Sequence, residues 1–91
     1  MLQRARRKTA TDVTFVLPSG YPCGPVSVVG DFNEWLPGAH PLVERADGTR
    51  AVKISMPTGQ RAHFRYLADG GHWFDDPDAD GHDGRNCFVD N

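Results

Sequence analysis

The stretch "QRAHFRYLADGGHWFDDP", residues 60–77, decides the fold, because two runs of alternating apolar residues flank a glycine turn. In a β-strand, successive side chains point to opposite faces. One face of the first run is predicted to lie in the core and carries Ala62, Phe64, Tyr66 and Ala68. The other face carries His63, Arg65 and Leu67. The segment is therefore predicted to form a β-hairpin that turns at residues 69–71.

The length of that turn decides which of the neighbours Trp73 and Phe74 is buried. A two-residue turn would place Trp73 opposite Tyr66, on the core face. A three-residue turn that includes Gly71 instead buries Phe74. Trp73 then lies opposite Leu67 on the outer face. The second glycine favours the longer turn, because glycine adopts a positive φ at little cost. We therefore predict that Trp73 is exposed.

The rest of the chain also divides into short strands. Ten glycines and seven prolines in 91 residues favour strands over helices, and no segment keeps helical periodicity over three turns. Further strands are predicted in the segments 12–18, 25–32, 40–57 and 86–90, with two strands in 40–57 joined at Asp47-Gly48. About seven short strands at this spacing predict an all-β, immunoglobulin-like antiparallel β-sandwich.

The charges are unevenly distributed. Four of the ten positive charges lie near the start of the chain, at Arg4, Arg6, Arg7 and Lys8. Residues 1–12 are predicted to form a basic, solvated tail, and residues 13–91 a single domain. Residues 9–91 carry six positive and twelve negative charges. Such an acidic body argues against nucleic acid as the main ligand, because phosphate binding requires a basic face.

Location and redox state follow from the apolar segments and the cysteines. No apolar run approaches the roughly 20 residues that span a membrane, and residues 1–12 lack the apolar segment of a secretory signal. We therefore expect a cytoplasmic location and no membrane partner. In a reducing cytoplasm Cys23 and Cys87 are expected to remain thiols. A disulfide between them would require the fold to bring the two residues together.

Three segments together resemble a known family. They are "VSVVGDFNEW" (26–35), "DGTRAVKISMPTG" (47–59) and "HFRYLADGGHWFDDP" (63–77). Their order is similar to that in the starch- and glycogen-binding modules of carbohydrate-binding module family 48. Related modules occur at the front of isoamylases and branching enzymes and in the β subunit of AMP-activated protein kinase. The resemblance covers roughly residues 13–91. It implies an early-set immunoglobulin-like sandwich that binds α-1,4-glucans without cleaving them.

The resemblance also implies which residues contact the glucan. Trp35 matches the first tryptophan of the family, after G-x-F-N-x, and Trp73 matches the second, ahead of the D-P pair. Arg65 takes the place of a basic residue that is commonly lysine. Asn86, or Arg85 just before it, takes the place of an asparagine. These residue types suit a sugar, because an indole face complements the C–H groups of a pyranose while guanidinium and amide groups bond to its hydroxyls.

The chain departs from the family pattern in the segment 77–85. That segment is short, and it has His82 and Asp83 where kinase-type modules carry a leucine that reaches into the glucan. This departure argues against a grip that wraps fully around a helical glucan. The expected function is still the non-catalytic binding of glycogen, starch or maltooligosaccharide by a stand-alone module, which could serve a glycogen-metabolising enzyme. The alternative is a regulatory domain that docks a partner protein through the same aromatic face.

Catalytic and metal-binding functions have little support in the sequence. There is no G-x-S-x-G motif, and the adjacent Asp75 and Asp76 have no predicted cleft to flank, so we expect no enzyme activity. The run Asp76-x-Asp78-x-Asp80 begins like a calcium loop, but Cys87 stands at the twelfth position, where a glutamate is required. The four histidines lack zinc-ligand spacing. No cofactor is expected.

Overall fold

The computed structural model describes residues 2–18 and 24–90, which form two antiparallel sheets packed face to face. The strands are β1 (Leu2–Arg6), β2 (Ala10–Leu17), β3 (Val26–Gly30), β4 (Val43–Glu44), β5 (Arg50–Pro57), β6 (Arg61–Ala68), β7 (His72–Phe74), β8 (Gly81–His82) and β9 (Cys87–Asp90). A single 3-10 turn, Asp31–Asn33, follows β3. The predicted all-β sandwich is confirmed. The described part of the chain contains no helix that could span a membrane.

The strand order is that of an immunoglobulin-type sandwich. One sheet has the order β1-β2-β5-β4, and the other has the order β3-β6-β9-β8, with β7 also paired to β6. The immunoglobulin order is A-B-E-D on one sheet and C-F-G on the other. Strands β1-β2-β5-β4 and β3-β6-β9 reproduce this arrangement. Along the chain, β7 and β8 come between β6 and β9, the equivalents of F and G.

Residues 2–18 and 24–90 contain nine strands, two more than the sequence predicts. The prediction of a solvated tail over residues 1–12 is wrong for Leu2–Arg6, because these residues form β1, which pairs along its length with β2. Its side chains are mostly exposed, so they leave no apolar alternation in the sequence. Pairing of the backbone holds β1 in place, and charged side chains are typical of such an edge strand. The second addition, β8, has only two residues and leaves no pattern.

The core contains the inward-facing residues of both sheets: Val13, Phe15, Leu17, Val26, Val28, Ile54, Met56, Ala62, Phe64, Tyr66, Ala68, Cys87 and Val89. The predicted core face of β6 is therefore confirmed at all four positions. Phe15 lies at the centre, with its ring centroid 4.9 Å from Phe64 and 5.6 Å from Phe32. Burial raises the pKa of the Cys87 thiol to about 11. Cys23, the other cysteine, lies outside the described residues.

The register of the β6–β7 hairpin follows the longer turn. Tyr66 pairs with Phe74, and Leu67 pairs with Trp73. Between the strands lies the three-residue turn at 69–71, in which Gly71 has a φ of 79°. The Phe74 ring packs 5.1 Å from that of Tyr66. The predicted burial of Phe74 and exposure of Trp73 are both confirmed, since Trp73 is 39% exposed and Phe74 packs against the core.

A buried hydrogen bond fixes the chain after this hairpin. The Tyr66 hydroxyl donates to Oδ2 of Asp76 over 2.5 Å, and both residues are buried. The other carboxylate oxygen of Asp76 accepts from the backbone N–H of Asp78 over 2.8 Å. Burial, with the added negative charge of Asp76, raises the pKa of Tyr66 far above its ordinary value. The loop that follows β7 is therefore tied to the core of the sandwich.

We predict that Tyr66→Phe lowers the free energy of unfolding by about 1.5–3 kcal/mol, because it removes the donor to a buried carboxylate. Urea unfolding at pH 7 measures this loss. Asp76→Asn keeps an acceptor for the Tyr66 hydroxyl and is expected to cost less. A neutral Tyr66→Phe, or a larger loss in Asp76→Asn than in Tyr66→Phe, would contradict this role.

Candidate functional site

Two of the predicted binding residues, Arg65 and Trp73, lie on the outer face of the five-stranded sheet, which we define as the side of β3, β6, β7 and β9 that points away from the core. Strand β6 contributes four residues to this face: Arg61, His63, Arg65 and Leu67. Val29 on β3 pairs with Arg65, and Trp73 on β7 pairs with Leu67. Because paired residues share a face, Trp73 and Arg65 lie on the same side of the sheet.

The G-x-F-N-x-W motif forms a turn that positions Trp35. Gly30 ends β3, and its N–H donates to Oδ1 of Asn33 over 3.0 Å. The Asn33 amide in turn donates to the carbonyl of Val28 over 3.0 Å. Phe32 points the other way and packs against the core. Gly30, Phe32 and Asn33 therefore have roles in folding. Trp35 is the motif residue that the turn leaves at the surface.

Gly30 is required by close approach rather than by its dihedral angles. Its φ of −170° is ordinary extended backbone. A Cβ at this position would overlap the carbonyl oxygen of His63 and would lie 2.9 Å from Cβ of Phe64. The glycine therefore lets the start of the turn lie directly against β6.

The backbone of Trp35 has an uncommon conformation. Glu34 and Trp35 both have a φ of 57°, in the left-handed region that non-glycine residues seldom adopt. The Trp35 N–H donates to the carbonyl of Gly30 over 3.0 Å, which closes the turn. The indole Nε1 donates to Oδ1 of Asp31 over 3.1 Å, and the side chain is half-buried. The predicted position of Trp35 on a turn near the surface is confirmed.

Leu67, the pairing partner of Trp73, lines an open depression of about 360 Å³. Trp73 is 39% exposed, and Leu67 is half-buried. The depression is lined by Leu67 and by Pro25, Val26, Ser27, Pro37, Gly38, Pro41, Ala68, Asp69, Gly70 and Gly71. Trp73 and Leu67 therefore form an apolar surface on the outer face, and the groove lies beside Leu67 and the β6–β7 turn.

Arg65 is held by a carboxylate from the loop after β7. Its Nε donates to Oδ1 of Asp75 over 3.0 Å, and the pair is partly buried. Oδ2 of Asp75 lies 3.0 Å from Nε2 of His82. Within the described part of the chain, Nη1 and Nη2 of Arg65 have no hydrogen-bond partner. The structure therefore pairs Arg65 with Asp75 and leaves two guanidinium nitrogens without a partner among the described residues.

His63 lies between two carboxylates. Its Nδ1 is 3.2 Å from Oδ2 of Asp31, which also accepts from the His63 backbone N–H over 2.9 Å. Its Nε2 is 3.3 Å from Oδ2 of Asp83. The ring packs edge-on against Phe88 of β9, with centroids 5.7 Å apart. The sequence placed His63 on the outer face but did not identify these partners, which lie 32 and 20 residues away along the chain.

Asp83 also organises the segment that holds Arg85 and Asn86. Its Oδ1 accepts from the backbone N–H of Arg85 over 2.8 Å and from that of Asn86 over 2.7 Å. Asn86 immediately precedes Cys87, which pairs with Phe64, so Asn86 lies at the level of Arg65. Arg85 is exposed and Asn86 half-buried. Arg85 and Asn86 therefore both lie in the loop that leads into β9, where Asp83 holds their backbone.

The carboxylates of Asp31 and Asp83 stay ionised. Partial burial opposes ionisation of Asp31, but hydrogen bonds from the His63 backbone and from Trp35 and His63 side chains lower its pKa overall. Bonds from the Asn86 and Arg85 backbone lower the pKa of Asp83. Both groups therefore carry a negative charge at neutral pH.

The calcium-like run does not assemble a metal site. Asp76 accepts from Tyr66 inside the fold, whereas Oδ2 of Asp80 accepts from Arg4 over 2.7 Å and from the Asp90 N–H over 2.6 Å. Across residues 2–18 and 24–90, no cluster of three or more His, Cys, Asp or Glu side chains is arranged to hold a metal ion. The acidic run is engaged in contacts that hold the loop to its neighbours.

A comparison with known protein families gives no match for this chain, and a search of curated proteins finds no relative. The resemblance to carbohydrate-binding module family 48 therefore rests on the motif residues and their order. The functional argument is carried by the geometry of the outer face.

We predict that Asn33→Ala lowers the free energy of unfolding by about 2 kcal/mol, because both hydrogen bonds that close the turn are lost. Asn33→Asp keeps the acceptor for the Gly30 N–H and is expected to cost less. Chemical unfolding of both variants tests the order. Equal stability of Asn33→Ala and the wild type would show that the turn does not depend on this amide.

We also predict that stability falls when the pH drops below about 4. The folded-state pKa of Asp31 is lowered from 3.8, so its stabilising contribution is present above that pH and is lost as the pH falls through the folded-state pKa. Urea unfolding at pH 7, 4 and 2.5 measures the decrease, which should be smaller in Asp31→Asn. The same decrease in both proteins would exclude a contribution from Asp31.

Proposed function

We propose that this protein binds α-1,4-glucan without cleaving it, through Trp35 and Trp73 on the outer face of the five-stranded sheet. The observation that carries the proposal is that neither indole is in the core. Trp73 is 39% exposed on β7, and Trp35 is half-buried on a turn whose carboxylate, Asp31, also bonds to His63 of the outer face.

Two indoles on one surface suit successive sugar rings. The apolar face of a pyranose covers roughly 100 Å² of an indole, which at about 25 cal/mol per Å² gives about 2.5 kcal/mol for each ring before ordering costs. After those costs, a short maltooligosaccharide is expected to bind with a Kd of about 0.1–1 mM. A polymer that engages several copies of the module at once would be held more tightly.

The polar groups beside the indoles suit the rim of a sugar. The available guanidinium nitrogens of Arg65 are donors, and the carboxylate of Asp31 is an acceptor that is 48% exposed. Asn86, which precedes the pairing partner of Phe64, adds an amide at the edge of this face. Sugar hydroxyls both donate and accept, so a mixed set of this kind can satisfy them.

Binding without hydrolysis is supported by the way the neighbouring carboxylates are engaged. Asp75 faces outward and bonds to Arg65, whereas Asp76 is buried and bonds to Tyr66. A glycosidase requires two carboxyl groups that flank one glycosidic bond. These two face opposite sides of the sheet and cannot flank the same bond.

A native gel that contains glycogen tests the proposal. We predict that the wild type is retarded and that Trp35→Ala and Trp73→Ala are not. In solution, the intrinsic fluorescence of the two tryptophans, the only ones in the chain, reports maltoheptaose binding. Each alanine variant is expected to weaken binding at least about tenfold, because one stacking surface is lost.

Val43→Ala is the matched control. Val43 is 64% exposed and lies on β4 of the opposite sheet, so its loss should leave retardation unchanged. Circular dichroism on all variants confirms folding. A wild type whose mobility does not change at high glycogen loading would refute glucan binding. A protein partner captured through Trp35 and Trp73 in the presence of excess maltoheptaose would instead favour the docking alternative.

The wider setting belongs to the same proposal. A module without catalytic groups would act by bringing a glycogen-metabolising enzyme to its polymer or by sensing the polymer in the cytoplasm. The short segment 77–85 supports contact with one side of a glucan chain rather than a grip around it.

A further inference from the structure

We infer that His63 is a positioning residue that joins the two sides of the candidate site and tightens glucan binding as the pH falls from 8 to 5.5. The inference rests on the proposed function, since it concerns the same site. It is carried by the placement of one imidazole ring between the carboxylates of Asp31 and Asp83.

The two carboxylates reach opposite nitrogens of the ring. Nδ1 lies 3.2 Å from Oδ2 of Asp31, and Nε2 lies 3.3 Å from Oδ2 of Asp83. The His63 side chain is 29% exposed, and Phe88 packs against it. The ring is therefore held in one orientation, in which both nitrogens are within reach of an acceptor.

Each carboxylate also holds part of the candidate site. Oδ1 of Asp31 accepts from the indole of Trp35 over 3.1 Å. Oδ1 of Asp83 accepts from the backbone N–H groups of Arg85 and Asn86. His63 thus links the tryptophan turn to the segment that carries Asn86, although these two parts of the chain are about 50 residues apart in sequence.

The protonation state of the ring decides whether both links are made. A neutral imidazole has one N–H, so it donates to one carboxylate while its other nitrogen directs a lone pair at the second. An imidazolium donates from both nitrogens and carries a charge opposite to that of its partners. Protonation from solvent therefore replaces one repulsive contact by an attractive ionic contact, and both sides of the site are then held by His63.

The charged surroundings favour this assignment. Asp31 approaches from the 3-10 turn and Asp83 from the loop before β9, and Asp90 on β9 adds a further negative charge that is paired with Arg61. Arg61 itself lies over the ring of Phe88, 3.8 Å from its centroid. The lowered pKa values of Asp31 and Asp83 keep both ionised between pH 5.5 and 8, and histidine is the side chain that ordinarily changes charge in that interval.

The test compares maltoheptaose binding at pH 5.5 and pH 8. The wild type is expected to bind about threefold to fivefold more tightly at pH 5.5, the effect of one added ionic hydrogen bond near the surface. His63→Gln does not titrate, so its affinity should be the same at both pH values. A wild type with equal affinity at the two pH values, or a His63→Gln variant that keeps the full difference, would overturn the inference.

Two other histidines serve as controls. His72→Gln alters an exposed histidine on β7 and should leave the pH dependence intact. His82→Gln alters the histidine that contacts Asp75, the partner of Arg65. It should also leave most of the pH dependence of binding intact. If the pH dependence were lost in His82→Gln and kept in His63→Gln, His82 rather than His63 would be its cause, and the inference would be overturned.

A readout without glucan separates this inference from the proposed function. The NMR signal of the Trp35 indole N–H reports its bond to Asp31, and its shift should change with pH in the wild type but not in His63→Gln. If that shift titrates and no glucan binds, glucan binding fails as the function while the link through His63 stands. If glucan binds and the shift is the same at both pH values, the inference about His63 fails alone.

Discussion

The buried hydrogen bond between Tyr66 and Asp76 is the constraint on which the outer face of the sheet depends. It fixes Asp76, the residue after Asp75, so that the Asp76 carboxylate points into the core and the Asp75 carboxylate points out. Asp75 can then bond to Arg65, and through its second oxygen to His82. The bond lies inside the sandwich, where a lost donor is costly, and its effect is to place a partner for Arg65 on the surface.

A second constraint is the close approach of β3 to β6. Because Gly30 has no Cβ, the turn after β3 can lie against the backbone of His63. Asp31 then falls beside His63, and Phe32 on the other side reaches Phe15 in the core. One short segment therefore alternates between the interior and the outer face.

The sequence predicted those parts of the structure that apolar alternation and glycine placement control. The core face of β6 and the register of its hairpin with β7 followed from period-two alternation and from Gly71. Strand β1 was missed because its side chains are solvated and only its backbone pairs with β2. The bridge from His63 to Asp31 and Asp83 was missed for a different reason. Its members are distant along the chain, and only the pairing of β6 with β3 and β9 brings them together.

The strain at the tryptophan turn bears on why Trp35 lies where it does. A left-handed conformation costs a non-glycine residue roughly 1–2 kcal/mol, and both Glu34 and Trp35 adopt it. Folding alone would be served better by glycine at these positions, since the hydrogen bonds that close the turn come from Asn33 and from backbone groups. The left-handed conformation of Trp35 lowers the stability of the fold. Its indole is held by Asp31 outside the core, so core packing does not offset this cost. Strained residues of this type cluster at functional sites, which agrees with the proposal that the Trp35 indole contacts a ligand.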